Sequence, residues 1–163
     1  MTALFRDEAR TRAGAALLMR SLLLGWAAGA RASLGPAGPT LTGGRPPLVR
    51  AAAALGVVGE IIGDKLPTAP SRLEHGGALV RATSGAIGAT MLAVRAQSNP
   101  VLPAVTGAVG GLAGAYGGAA WRAWAVGRVP DWQAAIAEDV VALTAAVVAC
   151  SPRFGAPGVG QVQ

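Results

Sequence analysis

The residues that usually carry chemistry are scarce in this chain. It has one cysteine, Cys150, and one histidine, His75. A single cysteine cannot close an intrachain disulfide, and it offers no zinc-ligand spacing. A lone histidine removes Ser/His nucleophilic pairs and histidine metal clusters. No catalytic residue, metal ligand or cofactor motif can be named on these grounds. Aromatic residues make up only 4% of the chain and charged residues 13%. The aromatics do not alternate with the arginines, so no base-stacking surface is visible. The net charge of +6 therefore does not point to nucleic acid. Lysine is almost missing as well: Lys65 stands against 13 arginines, a bias expected of a GC-rich genome. Cys150, at the end of an apolar run, reads as a buried, inert thiol.

What fills the chain instead is Ala, Val, Leu and Gly. Hydrophobic residues reach 52% of the 163 positions, with 24 glycines. Such a composition fits helices that pack backbone to backbone, as membrane helices do. The competing reading is a soluble, Ala-rich helical protein. Most arginines stand at the edges of apolar runs, as in a multi-span protein. The reading is an all-α, polytopic membrane bundle of about five helices with Gly-rich packing faces. Residues 1–13 form a basic N-terminal segment, 14–150 the membrane helical domain, and 151–163 a Gly/Pro-rich tail expected to be disordered. A cleavable leader ending near Ala30-Arg31-Ala32 is the lesser alternative to a retained first helix, because Arg20 interrupts its apolar stretch.

The first helix is expected over Gly14–Ala32. Residues 34–47, LGPAGPTLTGGRPP, read as a linker that cannot stay helical. The second helix covers Leu48–Leu66, the third Gly77–Ala96 and the fourth Val101–Val126. The fifth starts near Pro130-Asp131, with Asp131 as N-cap, and ends before Ser151-Pro152. A spanning helix needs about 20 mostly apolar residues. Only the fourth region passes cleanly, since Ala96–Trp121 carries no charge.

The fourth helix holds the strongest pattern, GAVGGLAGAYGG. At 100° per residue, Gly107, Gly110, Gly111, Gly114, Gly117 and Gly118 fall on one arc of about 120°. In water, six helical glycines would cost several kcal/mol relative to alanine; close packing against a neighbour recovers this. The third helix repeats the theme with Ser84, Gly85 and Gly88. In the second, Gly56, Gly59 and Gly63 share a face with Glu60 and Asp64, which are about 6 Å apart along the axis. That face is expected to pack inward, with Val57, Val58, Ile61 and Ile62 turned to lipid.

The two ends of the chain share a grammar. GWAAGARAS leads to Arg31 and then to a helix with Glu60 and Asp64; GGAAWRAW leads to Arg122 and then to a helix with Glu138 and Asp139. With one helix between the pairs, an inverted repeat of the kind used by secondary transporters is one reading.

At these residues the chain resembles a bacterial family of integral membrane proteins known as "domain of unknown function 4126". The matching pieces are Gly29-Ala30-Arg31-Ala32-Ser33, Gly59-Glu60, Asp64-Lys65-Leu66-Pro67, Pro70-Ser71-Arg72, Arg81 with Ser84-Gly85-Ala86, the Gly-rich fourth helix, and Glu138-Asp139. The resemblance covers roughly residues 14–150. It implies an integral membrane protein and adds no chemistry.

Ionisable groups among membrane helices are costly and are usually functional or paired. The candidate intramembrane site is therefore Arg31, Glu60, Asp64, Arg122, Glu138 and Asp139. Glu60 and Glu138 are expected inside, with Arg31 and Arg122 as counter-charges; pairing that merely fixes helix register is the structural alternative. Trp121, Trp124 and Trp132 beside Arg122 and Arg128 fit an interfacial belt. The Lys/Arg balance favours a cytoplasmic N-terminus and an external C-terminus in a bacterial inner membrane.

The leading functional expectation is a small transporter or channel-like protein, with a proton, cation or small solute as partner. The second is a non-transporting membrane scaffold that associates, as a homo-oligomer or with other chains, through its glycine zipper. A lipid-modifying enzyme ranks third, because no second-shell histidine or nucleophile is visible.

Overall fold

The computed structural model describes residues 14–63 and 76–151. Asp64, Lys65, Arg72, Glu74 and His75, like the basic N-terminal segment and the Gly/Pro tail, lie outside the described residues. Those described form six helices and no strand: α1 Ala15–Ala30, α2 Leu34–Thr42, α3 Pro47–Gly63, α4 Gly77–Arg95, α5 Val101–Ala125 and α6 Asp131–Cys150. The expected boundaries of the long helices hold to within a few residues. Asp131 is the first helical residue and Pro130 the cap, so the N-cap role expected of Asp131 is not realised.

The segment expected as a linker contains α2, so the helix count rises from five to six. Pro36 falls in the first turn, where a missing N–H costs nothing. Pro39 sits inside the helix and cannot donate back to Gly35. The Gly35 carbonyl instead faces Gly88 of α4, at a spot where any Cβ would collide with it. Packing against α4 thus holds a helix that local propensity alone would not.

Helix α5 is the spine. Its glycine stripe lies against α1 on one side and α4 on the other. A Cβ on Gly110 or Gly114 would run into backbone of Leu22, Trp26, Gly25 or Gly29; one on Gly107 or Gly111 would strike Gly85, Arg81 or Ala82. Gly85 and Gly88 on α4 are equally constrained, and Gly118 is buried. Gly117 alone in this stripe faces open space. The approach is that of backbones in contact, which only residues without side chains permit.

These contacts fix the helix directions. Gly25 faces Gly107 and Gly29 faces Gly111 and Gly114, so α1 and α5 run parallel. Arg31 and Arg122 therefore end their helices pointing the same way, and the expected inverted repeat is not realised: α2 adds a reversal that changes the parity of everything after it. Arg20 Nε donates to the Ala149 carbonyl at 2.7 Å, which sets α6 antiparallel to α1. The two ends of the helical unit consequently lie on one side of the bundle, not on opposite sides as expected.

Helix α3 also departs from expectation. A Cβ on Gly56, Gly59 or Gly63 would meet nothing, and Val57 is the one buried residue of this helix. Ala53, Val57 and Ile61 form the inward face instead. Helix α3 is peripheral, and it docks through side chains in the ordinary ridge-and-groove manner rather than through its backbone.

Two helices, α4 and α6, are long and apolar enough to cross a membrane, and about half of each such window is buried within the bundle. The helix expected to pass most cleanly, α5, does not reach that mark. It is 25 residues long, but its glycines dilute its hydropathy while serving the packing.

Candidate functional site

Helix α1 stops at Ala30, and the chain turns through Arg31, Ala32 and Ser33 into α2. A helix ends with unsatisfied carbonyls and begins with unsatisfied N–H groups. Here members of both sets are met by side chains from other helices. Arg81 of α4 donates from Nε to the Gly29 carbonyl at 2.9 Å. The Ser84 hydroxyl donates to the Ala32 carbonyl. Glu60 of α3 accepts from both N–H groups of the turn: Ala32 to Oε1 and Ser33 to Oε2, each at 2.7 Å. A guanidinium at a helix C-terminus and a carboxylate at a helix N-terminus also agree with the two helix dipoles.

Arg31 itself points into the bundle and is 2% exposed. Its Nε and Nη2 reach Asp139 Oδ1 of α6 at 2.8 and 2.5 Å. Asp139 lies eight residues from the start of α6 and eleven from its end, or about 12 and 16 Å along the axis. The pair is thus set at mid-length in a helix of spanning dimensions. Arg122, at the last turn of α5, bonds Asp131 Oδ1 at 2.6 Å and stands 3.3 Å from Glu138 Oε2.

Five of the six site residues read from the sequence are therefore placed, and Asp64 lies outside the described residues. The partners differ from those expected. Arg31 pairs with Asp139, while Glu60 reaches the backbone beside Arg31. Glu60 and Glu138 have separate surroundings, and Glu138 lines a cleft of about 300 Å³ between α1, α5 and α6. The cleft walls are otherwise apolar: Trp26, Gly114, Gly117, Gly118, Trp121 and Val141 with two alanines. Trp121 bridges α5 to α6 through a 3.3 Å bond from Nε1 to the Ala134 carbonyl. It stacks on Trp124 with centroids 5.2 Å apart, and Arg128 lies over the Trp124 ring.

Sequence reasoning singled out Arg81 and Ser84 without giving either a capping role, and it passed over Trp26. Arg81 was legible in principle: with Ser84, Gly85 and Gly88 it marks one buried face of α4 at helical spacing. It also missed a wider pattern. Arg20 caps the carbonyl end of α6, Arg81 that of α1, Arg95 that of α2 through the Pro39 carbonyl, and Arg128 that of α5 through Trp124. Four arginines that looked like edge markers each satisfy the end of another helix or of their own. Cys150 is buried at the end of α6, as expected of an inert thiol. Among the described residues, no group of three or more acidic, histidine or cysteine side chains could hold a metal ion.

No family model matches the chain, and neither a curated protein nor a solved structure does.

The capping role of Glu60 carries its own expected result. Glu60→Gln keeps one neutral acceptor, so one of the two bonds is lost and the other is no longer charge-assisted. It should lower the folding free energy by about 1–2 kcal/mol, and Glu60→Ala by more. Thermal unfolding in detergent checks this; equal midpoints for wild type and Glu60→Ala would remove the cap from the account.

Proposed function

We propose that this chain is a small multi-pass inner-membrane protein of transporter or channel-like type, with Glu138 as the carboxylate that meets a proton, cation or small solute. One observation carries the reading: a carboxylate lines the wall of an apolar cleft inside a body whose surface is aliphatic. The interior is mostly Gly and Ala around buried Arg31, Glu138 and Asp139, with a few larger side chains such as Leu24, Leu34 and Leu92, while Leu55, Ile62, Leu79, Val94, Val105 and Val147 are exposed. In water this distribution would be inside out; in lipid it is the expected one. Capping of the Ala32 and Ser33 N–H groups and of the Gly29 and Ala32 carbonyls by side chains has the same logic, since hydrocarbon offers no water to do it. The resemblance to the domain of unknown function 4126 family belongs to this proposal and adds no reaction to it.

The scaffold reading, in which the glycine stripe recruits a second chain, has less support. That stripe is filled by α1 and α4 of the same chain, with only Gly117 open.

Two measurements test the proposal. The protein should remain in the pellet when membranes are washed with alkaline carbonate; release into the supernatant would end the membrane reading. In proteoliposomes it should conduct protons or cations, and Glu138→Gln should lower the flux by at least about tenfold, the usual scale for losing a participating acid–base group. Equal flux from both would remove Glu138 from the function.

A further inference from the structure

We propose that the cleft between α1, α5 and α6 binds a lipophilic organic cation, with the Glu138 carboxylate opposite its charge and the Trp26 and Trp121 indoles against its apolar groups. This inference rests on the membrane reading above and names a substrate class for the same site.

The chemistry of the walls selects the class. A carboxylate disfavours anions. A small metal cation needs several oxygen ligands to replace its water, and this cleft offers one carboxylate among apolar residues. A cation whose charge is spread over organic groups loses little on leaving water, and indole faces attract it further. Glu138 is already engaged, with Arg122 Nε 3.3 Å from its Oε2, so an entering cation competes for the carboxylate; Arg122 keeps its shorter contact, 2.6 Å to Asp131.

The space has a definite origin. Gly114, Gly117 and Gly118 of α5 leave that wall without side chains. At Gly114 the absence is needed for contact with α1, since a Cβ there would strike the Trp26 carbonyl. At Gly117 a Cβ would meet nothing within 4 Å. Packing therefore explains the first glycine and not the second, whose lack of a side chain keeps the cleft open. The floor of the cleft, its single charge and its two indoles come from three different helices brought together by the α1–α5 contact.

The test uses the purified full-length protein in detergent, with tetraphenylphosphonium as the probe and triphenylphosphine oxide as a neutral analogue. Calorimetry should show saturable binding of the cation, with the neutral analogue at least about tenfold weaker. Glu138→Gln should weaken the cation by about tenfold or more. Because Glu138 is buried, Gly117→Leu serves as the second variant: it fills the cleft without touching a packed surface, should elute as wild type with unchanged helical circular dichroism, and should also lose binding. No binding to wild type, equal binding by cation and neutral analogue, or undiminished binding to a folded Gly117→Leu each overturns the proposal. Glu138-dependent proton flux without cation binding would remove this inference and leave the carrier reading standing. Cation binding at Glu138 without flux would do the reverse.

Discussion

Gly114→Leu should abolish the folded monomer. The Trp26 carbonyl and Gly29 Cα occupy the place where the new side chain would begin. Both are backbone, so the clash cannot be relieved by a rotamer change and α1 must separate from α5. Overpacking a tight core costs about 1–3 kcal/mol, more where the neighbour cannot yield; here it should fall at or above the upper end. The expected observation is loss of the monodisperse peak on size exclusion and a collapse of the thermal transition in detergent. Gly117→Ala, three residues on, is the matched control. It meets nothing and exchanges a poor helix former for the best one, so it should be neutral or stabilising by up to about 1 kcal/mol. If the two substitutions behaved alike, the backbone contact between α1 and α5 would not be what holds the bundle.

Arg31→Met should be nearly as damaging, for an electrostatic reason. It removes the guanidinium that holds Asp139 Oδ1 inside the bundle. Breaking a buried pair by removing one partner costs about 3–5 kcal/mol, because the remaining charge stays desolvated. The double variant Arg31→Met/Asp139→Leu should be more stable than Arg31→Met alone, since an apolar pair of similar volume can take the place of a buried ion pair. Thermal unfolding of the four species forms a double-mutant cycle. Additive losses, with the double variant as unstable as the sum of the singles, would mean that Arg31 and Asp139 do not depend on one another.

Much of the bundle was legible in its sequence because the relevant signals are local. The runs 77–95, 101–125 and 131–150 are bounded by Pro, Asn and Gly, and their helices begin and end there. Most of the glycine arc of α5 also read correctly as a packing face: Gly107, Gly110, Gly111 and Gly114 meet neighbouring backbone, while Gly117 does not. What failed were features decided by neighbours far along the chain. Residues 34–42 contain two prolines and two glycines, and packing against α4 and its neighbours makes them helical. On α3, small and branched apolar residues alternate so evenly that either face could have turned inward; Val57 did, and Gly59 did not. The pairing of charges was least legible of all. Glu60 was expected to seek an arginine, yet it binds two peptide N–H groups, and nothing in a list of side chains marks a backbone turn as a partner. That the interior would be charged was readable. That Glu138 would line the cleft between α1, α5 and α6 depends on where α1 stops relative to α5, which is a three-dimensional fact.

The separation between Arg31 and Asp139 has a consequence for biosynthesis. The two are 108 residues apart, and the spine helix that α1 grips is also made late. During translation α1 is complete long before α5 and α6 exist, so its glycine surface and Arg31 wait for the helices that cover them. The bundle cannot close around α1 until α6 has been made.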